Sequence, residues 1–377
     1  MINLKWKKSI AVLLVLLLCI APLAACGDRG ASEDTFGTDA PETPEATPVA
    51  SGEGLDLQTV MVEVSGASPI LWGELYYDLQ IVNQTFGIAS FVEDWDAPLE
   101  WHPDYEGLTY GEFMIQQAVE RALERRAAEK LFHEMGETLD PNFYADARQE
   151  YLEVFAMDDE EFAELLAAHH MTEVVFQHLT EVSGMVEQTT SALFGEEGAD
   201  ISQADLDAFI TEHNVLRAKH ILVMADMDSI ADGEAQVSTS PLANELYAEL
   251  QGLSGEELFA RFDEMIAEYG EDPGMTMNPD GYTFLPGAMV DEFFEGTLAL
   301  SYYEFSVPIR SGFGYHIILR LPVEYDANVM GPGGVQALLP QMAANVLMQD
   351  KLSEVQARIQ YEITSALRNL DLAEVFD

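Results

Sequence analysis

The chain has 377 residues, 48% of them hydrophobic, enough for the cores of two or three domains. It carries 67 acidic against 17 basic residues, a formal net charge of −50. That balance excludes a nucleic-acid-binding protein, which needs a basic footprint, and charge-driven docking on anionic lipid; it fits solubility and self-repulsion, or attraction for basic or unfolded partners.

The first residues read as an export signal. Lys5, Lys7 and Lys8 precede an unbroken apolar run from Ile10 to Ala21, then Pro22 and Leu23-Ala24-Ala25-Cys26. The run is shorter than the about 20 residues of a membrane span, so an uncleaved anchor helix is the weaker alternative. Cysteine after Leu-Ala-Ala resembles the lipobox of bacterial lipoproteins. That resemblance implies a leader over residues 1–25, a lipid on Cys26, and an extracytoplasmic protein tethered to the cell membrane. Removing the leader takes three lysines and no acid from the chain, leaving −53. It also removes Cys19, the other of the two cysteines, so no intramolecular disulfide can form.

Residues 26–54 are rich in Gly, Ser, Thr, Asp and Glu, with Pro41, Pro44 and Pro48 among them. Such a segment lacks the apolar side chains to offset its ordering entropy and is expected to be a disordered tether, reaching roughly 30 Å. Order is expected from Leu55. Val60 to Val64 predicts a strand, Ser65-Gly66 a turn, and Ile70-Leu71-Trp72 a return strand or a helix entry. Gly111 to Met135 and Tyr151 to Val182 carry apolar residues at helical spacing, with a helix start at Asp140-Pro141. Ser202 followed by Asp205 predicts a helix cap. His220 to Met224 predicts a buried strand, and Pro241 to Tyr269 helix broken near Ser254-Gly255. Asp272 to Gly281 is turn-rich, Met289 to Leu300 predicts a short helix, and Phe305 to Val323 two strands around Gly312-Phe313-Gly314. After Gly331 to Gly334 the apolar spacing from Leu338 to Leu367 predicts a C-terminal helix, with Pro340 in its first turn.

Four segments carry a family pattern in order: Ala218-Lys219-His220-Ile221-Leu222-Val223, Tyr269-Gly270-Glu271-Asp272-Pro273-Gly274, Phe284-Leu285-Pro286-Gly287-Ala288-Met289 running on to Phe293, and Phe313-Gly314-Tyr315-His316-Ile317-Ile318. Together they resemble the parvulin family of peptidyl-prolyl cis/trans isomerases over about residues 214–324. With the lipobox and the flanking helices, the chain resembles the PrsA-type foldase lipoproteins, and more loosely the SurA architecture. The resemblance implies an α+β protein. A parvulin domain (214–324), a four-stranded antiparallel sheet with helices, would be inserted in a mainly helical chaperone-like region formed by residues 55–213 and a C-terminal helix within 325–377.

By the same resemblance His220 and His316 are paired on neighbouring strands, Asp272 faces the substrate bond, and Ser311 supplies a hydroxyl before the last strand. Met289 and Phe293 hold the proline ring, with Phe284 near them. An X–Pro bond isomerises over a barrier of ~20 kcal/mol in tens to hundreds of seconds. Its catalyst has to favour the twisted amide, so it needs an apolar grip on the ring and polar groups at the rim, with no nucleophile and no cofactor or metal. His169, His170 and His178 do not have the spacing of a metal set. The chain departs from the family where many parvulins read Gly-Gly-Asp-Leu-Gly: here stand Asn278-Pro279-Asp280-Gly281-Tyr282, without the pocket leucine. Asp226, Asp228, Asp232 and Glu234 follow the first strand, where phosphate-directed members are basic, so no phosphopeptide preference is expected. The expected partners are unfolded, proline-containing secreted chains and, through the lipid, a membrane; a homodimer is compatible with this. Two functions stay open, an isomerase foldase and a non-enzymatic holdase on a degenerate parvulin scaffold.

Overall fold

A computed structural model of the chain describes residues 55–99, 105, 107–224 and 240–376. The leader, Cys26, the tether, and Asp226, Asp228, Asp232 and Glu234 lie outside the described residues. The strands are β1 (Val60–Val64), β2 (Ile70–Leu71), β3 (Leu216–Met224), β4 (Tyr282–Phe284), β5 (Ile309–Ser311), β6 (Gly314–Leu321), β7 (Asn328–Met330), β8 (Gln336–Leu338) and β9 (Tyr361–Ile363). The described residues divide into two compact units, those up to Thr189 together with those from Met348 on, and those from Thr190 to Leu347.

In the first unit β1 pairs antiparallel with β2 on one side and with β9, from the far end of the chain, on the other. Gly66, at φ +77°, makes the turn between β1 and β2. The alternatives at residues 70–72 are both realised: two residues of strand lead directly into the helix Trp72–Phe86. The helix Tyr110–Glu134 starts on a capping box, with Thr109 Oγ accepting from Glu112 N–H and Glu112 answering the Thr109 N–H. Met61, Ile70, Leu75, Leu79, Phe113, Met114 and Leu367 are buried together as its core. The amphipathic stretch expected from Tyr151 to Val182 is three helices, Phe143–Phe155, Asp159–Ala168 and Glu173–Phe194. Ala156 turns left-handed at φ 52° and Asp158 caps the next helix, while His170 at φ 56° ends it. Local capping chemistry overrides a continuous apolar period there.

The second unit is built on a six-stranded sheet in the order β5-β6-β3-β4-β7-β8. The four expected antiparallel strands are β5, β6, β3 and β4; the expected count of four is corrected to six because β7 joins β4 in parallel and β8 pairs with β7. The C-terminal helix expected within 325–377 is likewise corrected. Gly333 and Gly334, at φ +70° and +82°, reverse the chain between β7 and β8, the long helix stops at Leu339–Gln356, β9 follows, and two short helices, Ser365–Arg368 and Leu372–Phe376, come after it. Strands of three residues are too short to leave a period in the sequence. The unit thus begins before residue 214 and continues past 324, with Leu206, Phe209, Val329, Leu339 and Met342 in one cluster.

The central pair β3 and β6 is buried on both faces, which explains its near-continuous apolar sequence. Ile221, Val223, Tyr315, Ile317 and Leu319 face the helices Pro241–Leu250 and Gly255–Tyr269 through Leu246, Leu250, Leu258 and Phe262. Leu216, Ala218 and Ile318 face the other way, toward Phe284 and Phe293. No helix among the described residues is long and apolar enough to cross a membrane.

Candidate active site

The site grows from the register of three strands. In β3 and β6 His220 lies opposite Ile318 and His316 opposite Leu222, so the imidazoles are diagonal neighbours on one face. On β5 Ile309 lies opposite His316, which makes Ser311, two residues on, the next diagonal neighbour. Asp272 arrives from outside the sheet. The Glu271 N–H donates to the Leu222 carbonyl at 2.9 Å and its carboxylate accepts from Met224 N–H, which seats the turn on β3. Asp272 then caps the short helix Pro273–Met277, its Oδ1 accepting from Gly274 N–H at 2.8 Å.

These four residues form one hydrogen-bonded line. Ser311 Oγ lies 2.6 Å from His316 Nε2, His316 Nδ1 lies 2.9 Å from His220 Nδ1, and His220 Nε2 lies 2.7 Å from Asp272 Oδ2. Tyr282 Oη donates to the same Asp272 oxygen at 2.8 Å, and Phe313 N–H donates to Ser311 Oγ at 3.1 Å. The His220 hydrogen bond, helped by Gly274 N–H and Tyr282, outweighs burial and holds the Asp272 carboxyl at about 2. An ionised carboxylate only accepts, so His220 carries its proton on Nε2. Burial, with His220 beside it, pushes His316 down to about 4, so it is neutral at neutral pH. When both rings are neutral the line has one direction: Ser311 donates to His316, His316 Nδ1–H to His220, and His220 Nε2–H to Asp272. Burial and the Asp272 charge push the Tyr282 phenol up, which keeps it a donor.

The imidazoles are 5% and 4% exposed, too little to offer a face to a polypeptide. Their rings support Phe293 instead: its ring sits edge-on to His220 at 5.0 Å and to His316 at 5.5 Å. Phe293 comes from the helix Asp291–Leu298, and Met289, half-buried, packs in the same cluster. Phe284 is fully buried and lies 5.6 Å from Phe293, ring to ring, so it backs the pocket rather than lining its mouth. All seven residues singled out for the site from the sequence thus fall in one neighbourhood. Tyr282, Gly274 and the Phe313 N–H were not among them. Tyr282 stood only as a departure from the family pattern, and nothing in its local sequence shows where its hydroxyl ends. Of the other histidines, His178 pairs with Glu129 at 2.7 Å and His170 lies 3.4 Å from the Tyr76 hydroxyl; no group of three metal-ligating side chains is found among the described residues.

The second unit thus carries a buried histidine pair that bridges a serine and an aspartate beside an apolar cluster. Residues 220–321 match the family model "Rotamase: PPIC-type PPIASE domain". Among characterised proteins, the chain is similar to the foldase protein PrsA of Geobacillus kaustophilus, 36% identical over 104 residues, which is 27% of this chain and 30% of that one. Over 224 residues it is 25% identical to the foldase protein PrsA of Halalkalibacterium halodurans, covering 56% of this chain and 57% of that one. Both shares are under two thirds of the relatives' own lengths. A crystal structure of the peptidylprolyl isomerase PrsA from Bacillus cereus aligns with 73% of this chain and 97% of its own, at 17% identity and a TM-score of 0.32.

Proposed function

We propose that this protein is a membrane-anchored extracytoplasmic foldase that catalyses cis/trans isomerisation of X–Pro bonds in secreted polypeptides and holds them while they fold. The observation that carries the reading is the Asp272–His220–His316–Ser311 line closed beneath Phe293. Rotation about the imide bond makes and breaks no covalent bond, so these residues need only bind and orient. Met289, half-buried at the edge of the cluster, meets the pyrrolidine ring, and Phe293, 3% exposed, backs it from beneath. The Asp272 carboxylate at the rim acts on the amide as its resonance is lost, favouring the twisted state over the planar one. The buried histidines hold Asp272 and Phe293 in place. The lipobox at Leu23 to Cys26 supports anchoring through a lipid on Cys26.

The test is an isomerase assay on proline tetrapeptides with the full-length chain in detergent. Accelerated isomerisation that is lost in His220→Ala and Phe293→Ala supports the reading. The altered Asp280-Gly281-Tyr282 segment favours a second one, a holdase on a degenerate scaffold; suppression of client aggregation with no isomerase activity selects it. Anchoring is tested apart from activity: Cys26→Ser moves the protein from the membrane fraction to the soluble one, and unchanged fractionation refutes the lipid site.

A further inference from the structure

We propose that Tyr282 is a positioning residue of this site, holding the Asp272 carboxylate against His220 and so fixing the direction in which the buried hydrogen-bonded line donates. The inference rests on the isomerase reading and deepens it. In the Gly-Gly-Asp-Leu-Gly pattern of many parvulins this position is a glycine, which has no hydroxyl to offer.

Five features of the structure place it there. Tyr282 stands opposite Ala218 in the β3–β4 pairing, one step along β3 from where His220 emerges on the same face. Its ring is half-buried in the cluster of Phe293, Phe284 and Met289, with its centroid 6.1 Å from His220. The segment that carries it is clamped, because the Arg217 guanidinium donates twice to the Asp280 carbonyl, at 3.1 and 2.8 Å. Gly281 turns at φ +98°, and a Cβ there would come within 2.7 Å of the Ala218 carbonyl oxygen, so a side chain would not fit. Opposite the hydroxyl stands Gly274, and a Cβ there would overlap Tyr282 Oη. Gly274 is therefore the space the hydroxyl occupies, as well as the donor to the other Asp272 oxygen.

The consequence is chemical. Asp272 Oδ2 accepts from both His220 Nε2–H and Tyr282 O–H, and Oδ1 from Gly274 N–H. A carboxylate with three donors cannot turn away from His220 and resists protonation. Without the phenol one lone pair opens to water, the carboxylate takes a proton more readily, and His220 loses a fixed partner.

The experiment uses the full-length protein with 15N-labelled histidine and the tetrapeptide assay across pH. Tyr282→Phe keeps the ring and removes only the hydroxyl. Expected are a kcat lowered by roughly tenfold, the worth of one hydrogen bond to a charged group, an unchanged KM, and an acid limb of activity moved to higher pH. The Nε2–H pattern of His220 seen in the wild type should change. Gly274→Ala displaces the hydroxyl without deleting it and gives a second variant; its loss should be much smaller in the Tyr282→Phe background than in the wild type. Wild-type kcat, acid limb and histidine spectrum in Tyr282→Phe would overturn the proposal, as would losses that simply multiply in the double variant. If the wild type shows no isomerase activity, the isomerase reading falls, and the positioning role is then decided by the histidine spectrum alone: changed supports it, unchanged overturns it.

Discussion

Met289 and Phe293 are one helical turn apart in sequence spacing, yet the structure gives them different work. Phe293 is buried against both imidazoles, whereas Met289 stays half-buried at the edge of the same cluster. Met289→Ala is expected to raise KM several-fold with little change in Tm, since it trims the rim without opening the core. The histidine line makes the unit acid-sensitive in a calculable direction. Between the ordinary histidine value of 6.5 and the value of about 4 that burial imposes on His316, the unfolded chain binds a proton that the folded chain does not. Stability therefore falls as pH drops through that window, by on the order of 2–3 kcal/mol. Asp272 adds a lower step: its contribution is present above the ordinary carboxylate value of 3.8 and is lost as pH falls toward about 2. Calorimetric melting from pH 7 to 3 should show the upper slope flattened in His316→Asn; an unaltered slope would mean that the proton binds elsewhere. At this scale the site types were legible. The two histidines, the aspartate before Pro-Gly and the i, i+4 apolar pair stand out through the resemblance of their segments to the parvulin pattern. The Tyr282 hydroxyl did not show, because it reaches Asp272 only through the fold of the intervening turn.

Among the elements, the helix Tyr110–Glu134 does the most to organise the first unit. Arg125 and Arg126 on it meet Glu74 and Asp78 on the helix Trp72–Phe86: Arg125 Nε lies 2.8 Å from Glu74, Arg126 Nη2 lies 2.6 Å from it, and Arg125 also binds Asp78. Arg126 is 2% exposed and donates to the Ser68 and Pro69 carbonyls, which fixes the entry into β2. The paired guanidinium groups, with help from His178, overcome burial and hold Glu74 at about 2, so the network stays charged. Arg126→Met leaves Glu74 short of a partner and two carbonyls without donors. It should cost about 3–5 kcal/mol in chemical denaturation, as removal of one member of a buried pair does. Thr109→Ala, which removes one half of the capping box, should cost only about 1 kcal/mol. Helix periodicity made these elements readable, and capping residues made their starts readable. The breaks at Ala156 and His170 were not, since a left-handed residue other than glycine has no compositional mark.

For the whole molecule the decisive pairing is that of β9 with β1, residues 361–363 with 62–64. It brings Leu367, Leu372 and Val375 into the first unit's core. Deleting residues 359–377 is therefore expected to abolish hydrogen-exchange protection in β1 and the helix Tyr110–Glu134, while the β3–β6 pair in the second unit keeps its protection. Equal loss in both would show that they do not fold separately. The charge of −50 acts on the entire chain: acids repel one another in the compact state, and salt screens them over about 10 Å at 0.1 M. Raising NaCl from 10 to 150 mM, concentrations chosen to span that screening range, should raise Tm.

The sequence by itself determined the order of the segments and, through their resemblance to the parvulin pattern, the residues that meet at the site, because that pattern is carried by side-chain type and order along the chain. Tertiary structure alone decided the fifth and sixth strands, the closure of β1 by β9, and the place of the Tyr282 hydroxyl. Each of these rests on backbone pairing of very short strands or on a single hydrogen bond, and neither leaves a period or a composition by which it could be read.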